Sequence, residues 1–394
     1  MMRRVIRAIL IALVFATPAL AQDHHGHQHD APMGPGWTWA SSARVYFGAN
    51  LQERKFTDFY YVESQNWFMA EGGHRAGAGR FMLHTMISLE PATLRRLGSP
   101  QVFQTGETLD GAPLIDYQHP HDFFMAIEAR YERPVGERGR VWLSAAPVGA
   151  IALGPTSFMH RASADHNPTA PLAHHNLDST HITRSVVSAG ASHGALSVEA
   201  SAFKGLEPDE NRWDLDLGVP DSFAARVAWT SGAWRAQFSG GHLTTPDVVE
   251  PFVDVVQLTS SLEYSGSIRN RPLAVTIAVG RNREVYGNLD AALVEATWRP
   301  STRWVTYVRG EGVEKNILTA GGLHPPGFTH PHIFSTVGAF TAGLARDLYD
   351  SRAGSFSTGL DFTAHWVDPN LVDSYGEHPY SIHAFLRWGW QSQK

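Results

Sequence analysis

The sequence predicts an all-β chain: an antiparallel transmembrane β-barrel of about sixteen strands, with a range of roughly 12 to 18. Three observations predict it: an export-like N-terminus, apolar residues that recur at every second position, and joints that alternate short and long.

The N-terminus "MMRRVIRAILIALVFATPALAQ" carries Arg3, Arg4 and Arg7, then an apolar run, then Ala19-Leu20-Ala21. A charged start, an apolar middle and an A-x-A site read as a secretory signal over residues 1–21. A membrane-anchoring helix is the competing reading, and the run is short for one. The remainder divides into a tail, 22–36, and a barrel, 37–394. The chain has no cysteine, so an exported form holds its fold without disulfides. A net charge of −6 argues against nucleic acid as the main partner. No other stretch approaches the apolar length of a spanning helix.

The 36 glycines, 12 tryptophans and 20 phenylalanines suit sheet. In "SFSTGLDFTAHW", Phe356, Leu360, Phe362, Ala364 and Trp366 share one face; Ser357, Gly359, Asp361, Thr363 and His365 share the other. In "YSIHAFLRWGW", Ile382, Ala384, Leu386 and Trp388 oppose Ser381, His383, Phe385 and Arg387. Period two with one apolar face means a strand with one side against apolar surroundings. Such segments begin near Trp37, Phe59, Gly79, Phe123, Gly139, His181, Gly194, Ser222, Trp234, Val255, Pro272, Leu289, Arg303, Phe334, Gly354 and Pro379.

Joints near Gly77, Glu137, His193, Gly232, Asn270, Ser301 and Arg352 read as tight; those over 96–122, 153–180, 207–221, 315–333 and 368–378 read as long. Short turns on one side and long loops on the other are the layout of outer-membrane barrels. A soluble sandwich or propeller would alternate too, but needs no such rhythm. Trp37, Trp39, Tyr60, Tyr61, Trp366, Trp388 and Trp390 fall at strand ends, where an interfacial girdle lies. Alternation turns Glu63, Glu128, Glu199, Glu295, Arg309, Asp361, His383 and Arg387 inward, which fits a polar pore or a plugged barrel.

The long loops are expected on the outer rim, and they are rich in imidazole. "YQHPHD" holds His119, His121 and Asp122; "GPTSFMHRASADHNPTAPLAHHNLDSTH" holds His160, His166, His174 and His175; "FTHPH" holds His330 and His332. Histidine is the commonest ligand for borderline metals, and proline between two histidines stiffens the pair. The tail "QDHHGHQHD" adds His24, His25, His27 and His29, a tract of metal-binding composition. "FMLHTMISLE" places Met82, His84 and Met86 on one inward face, a row suited to a soft ion such as Cu(I). For each residue the plain alternative is loop structure, a solvated tail or lumen packing. None of these spacings is a strong zinc signature.

Two further classes compete. "NLDSTHIT" sets Ser179 two residues before His181, so on an extended strand they share a face, as a nucleophile and base of a lipid hydrolase would. No G-x-S-x-G elbow supports this. An adhesin or structural barrel needs no chemistry. "KGLEPDENRWDLD" reads as a salt-bridged turn bracing the rim, with binding of Ca²⁺ or bridged lipopolysaccharide as the alternative.

"LIDYQHPHDFFM", the long "GPTSFMHR…HHNLDSTHIT" stretch and "GLEPDENRWDLD" resemble a family of Gram-negative outer-membrane β-barrel proteins carrying QHPHD and FMHR motifs, over most of the chain. The resemblance implies a barrel in the outer membrane and carries no activity with it. In layout, a His-bearing tract ahead of a barrel is similar to copper-resistance outer-membrane proteins of the CopB type. The expectation is therefore a porin-like barrel that binds, and passes, copper or zinc. Its partners would be outer-membrane lipid, lipopolysaccharide, and metal ions or small polar solutes.

Overall fold

The computed structural model describes residues 36–55, 57–248, 250–318 and 332–392, with backbone only at 57–59. The export segment, the tail histidines His24, His25, His27 and His29, and His330 lie outside the described residues.

Sixteen strands form the wall. They are β1 (Thr38–Arg54), β2 in two stretches (Thr57–Glu63 and Asn66–Ala76), β3 (Gly79–Ile87), β4 (Phe124–Val135) and β5 (Gly139–Gly149). Then come β6 (Thr183–His193), β7 (Leu196–Lys204), β8 (Ser222–Ser231), β9 (Trp234–Leu243), β10 (Val255–Ile268) and β11 (Arg271–Glu284). The last five are β12 (Gly287–Trp298), β13 (Trp304–Lys315), β14 (Ser335–Ser351), β15 (Gly354–Trp366) and β16 (Tyr380–Gln391). Each starts within two residues of the position its alternation marks. Neighbours in sequence pair antiparallel, and β16 pairs with β1 from Ser42↔Gln391 to Glu53↔Tyr380, which closes the barrel. Closure leaves no edge strand, the condition for a sheet to survive in hydrocarbon.

The two faces of each strand differ as the sequence pattern demands. On β16, Ser381, His383, Phe385 and Arg387 are buried inward while Leu386 is exposed outward. Phe47, Leu143, Phe238, Leu344 and Phe362 continue that apolar exterior. Trp37, Trp39, Trp298, Trp304 and Trp366 stand exposed near strand ends. At one end the joints are short. Between β10 and β11 they reduce to Arg269 and Asn270, at φ 51° and 58°, the backbone of a two-residue hairpin whose twist matches the strands.

The other end carries the long loops, but the alternation is not strict there. The joints 55–56 and 285–286 are also tight. Each is covered by a neighbouring loop: the Lys55 N–H donates to the Tyr375 carbonyl, and Tyr286 stacks on His332.

One expectation is corrected. The stretch 153–180 does not sit on the outer rim; with much of 88–123 it folds down inside the barrel. Val102, Phe103, Leu172 and Leu177 are fully buried against inward-facing Ala278, Leu293, Val313 and Val337 and against Leu371 and Tyr375. The lumen is thus filled by an apolar core as well as by charge, because apolar loop residues gain more by leaving water than the rim could give them. Gly280 makes the approach possible, since a Cβ there would meet the Asn176 carbonyl at 2.1 Å.

Polar pins complete the insertion. Arg161 is buried, donating Nη1 to Asp178 Oδ2 and Nε to Glu295 Oε1, both at 2.7 Å. Arg309 donates to the other Glu295 oxygen at 3.0 Å. Farther along, Asp165 accepts from Arg44 at 3.1 Å and from Arg387 at 2.7 Å, while its carbonyl accepts from the Tyr46 hydroxyl. Burial raises the Asp165 carboxyl, but Arg387 and Arg44 outweigh it and hold it well below the usual range.

Replacing Arg161 by methionine leaves the buried Asp178 carboxylate without its arginine and Glu295 with Arg309 alone. We expect it to cost about 3–5 kcal/mol in urea unfolding and to raise single-channel conductance in planar bilayers; unchanged stability and conductance would show that the pin does not hold the loop. A depressed carboxyl stabilises fully above its unfolded pKa, near 4, and loses that contribution only as pH falls through the lower folded value. Asp165→Asn should therefore raise conductance by the same factor at pH 7 and pH 5, and an effect already lost at pH 5 would rule out Asp165 as the lock.

Candidate functional site

Three loops converge inside the long-loop half of the barrel. From the first, a helical turn, Glu90–Thr93, with Pro91 in its first turn, buries the Glu90 carboxylate. Glu90 Oε2 accepts the His121 backbone N–H at 2.9 Å and contacts His121 Nδ1 at 2.8 Å. The same loop brings His119, whose Nε2 lies 3.0 Å from Glu107 Oε1. From the second, the turn His174–Leu177 sets His174 Nδ1 2.8 Å from Asp178 Oδ1, and a 3₁₀ turn, Ser179–His181, sets His181 Nδ1 2.8 Å from the Asp178 carbonyl. From the third, Arg212 donates to Asp122 at 3.2 Å and to Glu107 at 3.1 Å.

The result is a cluster of five imidazoles. Ring centres are 6.1 Å apart for His119–His121, 6.2 Å for His119–His175, 5.8 Å for His121–His181, and 5.3 Å for both His174–His175 and His174–His181. Phe158 backs it, 5.2 Å from His174. Gly106, at φ 129°, lets His175 in: a Cβ there would meet the His175 ring at 2.3 Å.

Electrostatics separate the members. Burial favours neutral imidazole and holds His174, His175 and His181 below the usual histidine value, Asp178 offsetting part of this for His174. His121 goes the other way: burial lowers it, but Glu90 outweighs burial and raises it. Burial pushes the Asp122 carboxyl up to about 6 against the pull of Arg212. Burial and neighbouring Glu107 raise the Glu207 carboxyl well above its ordinary value.

Of the sequence-predicted ligands, His119, His121, Asp122, His174 and His175 meet here. His160 and His166 do not. They line a larger cavity, about 710 Å³, toward the tight-turn end, with Met69, Met159 and Arg299. There Arg299 lies 3.4 Å from His166 Nε2, and burial lowers both imidazoles to about 4. His332 is held apart by Glu250 at 3.2 Å and Asn316 at 3.2 Å. Met82, His84 and Met86 do face inward, and Met86 packs with Met125 and Met159.

His181 entered the sequence reading as a base for Ser179, and that pairing is absent. Residues 179–181 form a 3₁₀ turn rather than strand, so i and i+2 do not share a face. His181 Nδ1 is engaged by Asp178, and its buried Nε2 has no partner. Glu90, Glu107, Asp178 and Arg212 were missed as supports. Only Asp178 left a local signal, four residues after His174. The charged "KGLEPDENRWDLD" loop is salt-bridged, through Lys204–Asp221, Arg184–Asp216 and the Arg212 pairs. Among the described residues the one trio of acidic or imidazole ligand atoms all within 4.8 Å of one another is Asp209, Asp214 and Asp216, mostly exposed.

No family model matches the chain, and no curated protein matches its sequence. Solved structures do match in fold. An anion-selective porin from Comamonas acidovorans aligns at 10% identity with TM-score 0.57, covering 90% of this chain and all of that one. OmpF of Salmonella typhi aligns at 9% identity and TM-score 0.55, covering 90% and 97%. A loop-deletion mutant of the Vibrio cholerae outer membrane protein OmpT aligns at 10% identity and TM-score 0.53, covering 90% and 99%. The likeness is one of architecture: a closed, sixteen-stranded antiparallel barrel.

Gly106→Ala tests how the cluster is built. A Cβ at positive φ and against an imidazole should destabilise the barrel by about 1–3 kcal/mol in urea and displace His175. An unperturbed His175 imidazole resonance in NMR would mean that this close approach is not required.

Proposed function

We propose that this chain is an outer-membrane, porin-like barrel, exported by residues 1–21, that binds copper or zinc at the histidine cluster in its lumen and passes it inward. The observation that carries the reading is the convergence of His119, His121, His174 and His175, from loops some fifty residues apart in sequence, on one buried pocket with carboxylates behind them. His174, His175 and His181, held neutral by burial, are ready ligands, since a metal competes with no proton for them. The raised carboxyl of Glu207 adds a site where a cation would relieve crowding of negative charge.

The inward row Met82, His84 and Met86 on β3 runs from the cluster's end of the wall toward the tight turns. It supplies softer donors along the route. The tail histidines His24, His25, His27 and His29 precede β1, whose first residue is at the tight-turn end, so they would meet an ion leaving the barrel. The filled lumen fits selective passage of an ion better than free diffusion of larger solutes. Lipid and lipopolysaccharide would contact the apolar exterior and the rim.

The test is metal content and affinity of the refolded barrel lacking residues 22–30, alone and as His119→Ala/His121→Ala. We expect tight binding of about one borderline divalent ion per chain, lost in the double variant. Absence of binding beyond the deleted tail would sink the reading and leave a structural or adhesive barrel.

A further inference from the structure

Three of the five imidazoles are held alike. His121, His174 and His181 each present Nδ1 to an oxygen that can only accept: Glu90 Oε2, Asp178 Oδ1 and the Asp178 carbonyl, all at 2.8 Å. His119 presents Nδ1 to the Pro120 carbonyl at 2.9 Å, but its Nε2 is taken by Glu107 at 3.0 Å. A neutral imidazole donates from one nitrogen and accepts at the other. On His174 and His181, which burial holds neutral, the proton is therefore on Nδ1 and Nε2 carries the lone pair; on His121, whose protonated form Glu90 favours, a metal would take the place of the Nε2 proton. On His121 and His181 the Nε2 is buried and bonded to nothing. Two buried ring nitrogens without a partner are a cost that folding ordinarily avoids.

An imidazole oriented through Nδ1 by a carboxylate or a carbonyl is the arrangement that fixes histidines on metals. Ring spacing agrees for two of the three pairs. Imidazoles bound tetrahedrally through nitrogens about 2.0–2.1 Å from one ion have centres about 5 Å apart. His174–His181 and His121–His181 stand at 5.3 and 5.8 Å. The three nitrogens are not yet all within 4.8 Å of one another. Drawing them in takes side-chain rotation of His121 and His181, whose Nε2 atoms have no bond to break. Phe158 closes one side of the trio, 6.3 Å from His121 and from His181. The other side opens on a cavity of about 40 Å³ bordered by Thr180, Glu207 and Arg212, which is room for a water.

We infer that His121, His174 and His181 form a three-nitrogen site for a borderline divalent ion of the Zn²⁺ and Cu²⁺ class, with a fourth position open to an exchangeable ligand. The inference rests on the metal-binding reading above and names its ligands. It assigns Glu90 and Asp178 as positioning residues, and it gives His181 a role that its neighbour Ser179 does not share. Three nitrogen donors exclude the hard cations Ca²⁺ and Mg²⁺, which take oxygen. An open fourth position suits an ion that must be handed on, whereas a structural site would be closed.

The test uses the full chain with His24, His25, His27 and His29 replaced by alanine, refolded in detergent and checked by heat-modifiable migration. Co²⁺ alone is the probe, because its visible bands are intense in tetrahedral surroundings and faint in octahedral ones. We expect about one Co²⁺ per chain with intense bands, displaced by Zn²⁺. His181→Ala should abolish those bands and weaken binding more than about 100-fold, and Glu90→Gln should weaken it about 10–100-fold while keeping them. Ser179→Ala should change neither. Should His181→Ala not fold, His121→Ala puts the same question from a different loop. Intense bands that survive His181→Ala and His121→Ala but vanish in His119→Ala/His175→Ala would overturn this ligand set and leave metal binding standing. No Co²⁺ or Zn²⁺ binding at all would overturn both.

Discussion

The arrangement depends on one buried cation. Arg161 lies inside the barrel with no solvent to compensate its charge, so it must find carboxylates, and it finds two of different origin. Asp178 belongs to its own loop and Glu295 to the wall. The first pairing folds the loop on itself; the second fixes that fold to β12. A desolvated guanidinium paired on one side only would be among the most costly errors the structure could make, so the depth and orientation of the inserted loop are set together.

Asp178 carries that constraint into the histidine cluster. One oxygen accepts from Arg161 and from the Phe158 N–H; the other holds His174; its backbone carbonyl holds His181. The residue that neutralises the pin thus also orients two imidazoles. Glu90 does the corresponding work for His121 from a separate loop, itself tied to the wall through the Asn66 N–H. The cluster is anchored by residues that also support the fold, the usual requirement for presenting several side chains to one site.

Much of the wall was legible in the sequence because its rules are local. Phe362 and Trp366 outward, Asp361 and His365 inward, follow from alternation alone, and turn residues such as Asn270 mark where one strand hands over to the next. The tight joints at 55–56 and 285–286 escaped because what covers them comes from residues far along the chain. The site was legible in part. Histidine-rich loops announced His119, His121, His174 and His175, but not which of them meet. His160 and His166 sit in the same loop and face another cavity, since a loop that doubles back inside a barrel has no period to read. Glu90 and Glu107 were invisible for the same reason; Arg212 was legible as part of a salt-bridged turn, but not its partner Asp122, 90 positions away in sequence. His181 was misread because extended backbone was assumed where a 3₁₀ turn forms.

Asp165 lies near the middle of the inserted loop, and its carboxylate receives one arginine from β1 and one from β16, the two strands whose pairing joins the ends of the chain. The middle of the polypeptide therefore works as a clasp across the seam of its own cylinder. A barrel built this way cannot part sideways at that seam without first giving up its plug, and the plug cannot leave without loosening the seam. Lateral integrity and the closed lumen are a single mechanical property of this molecule.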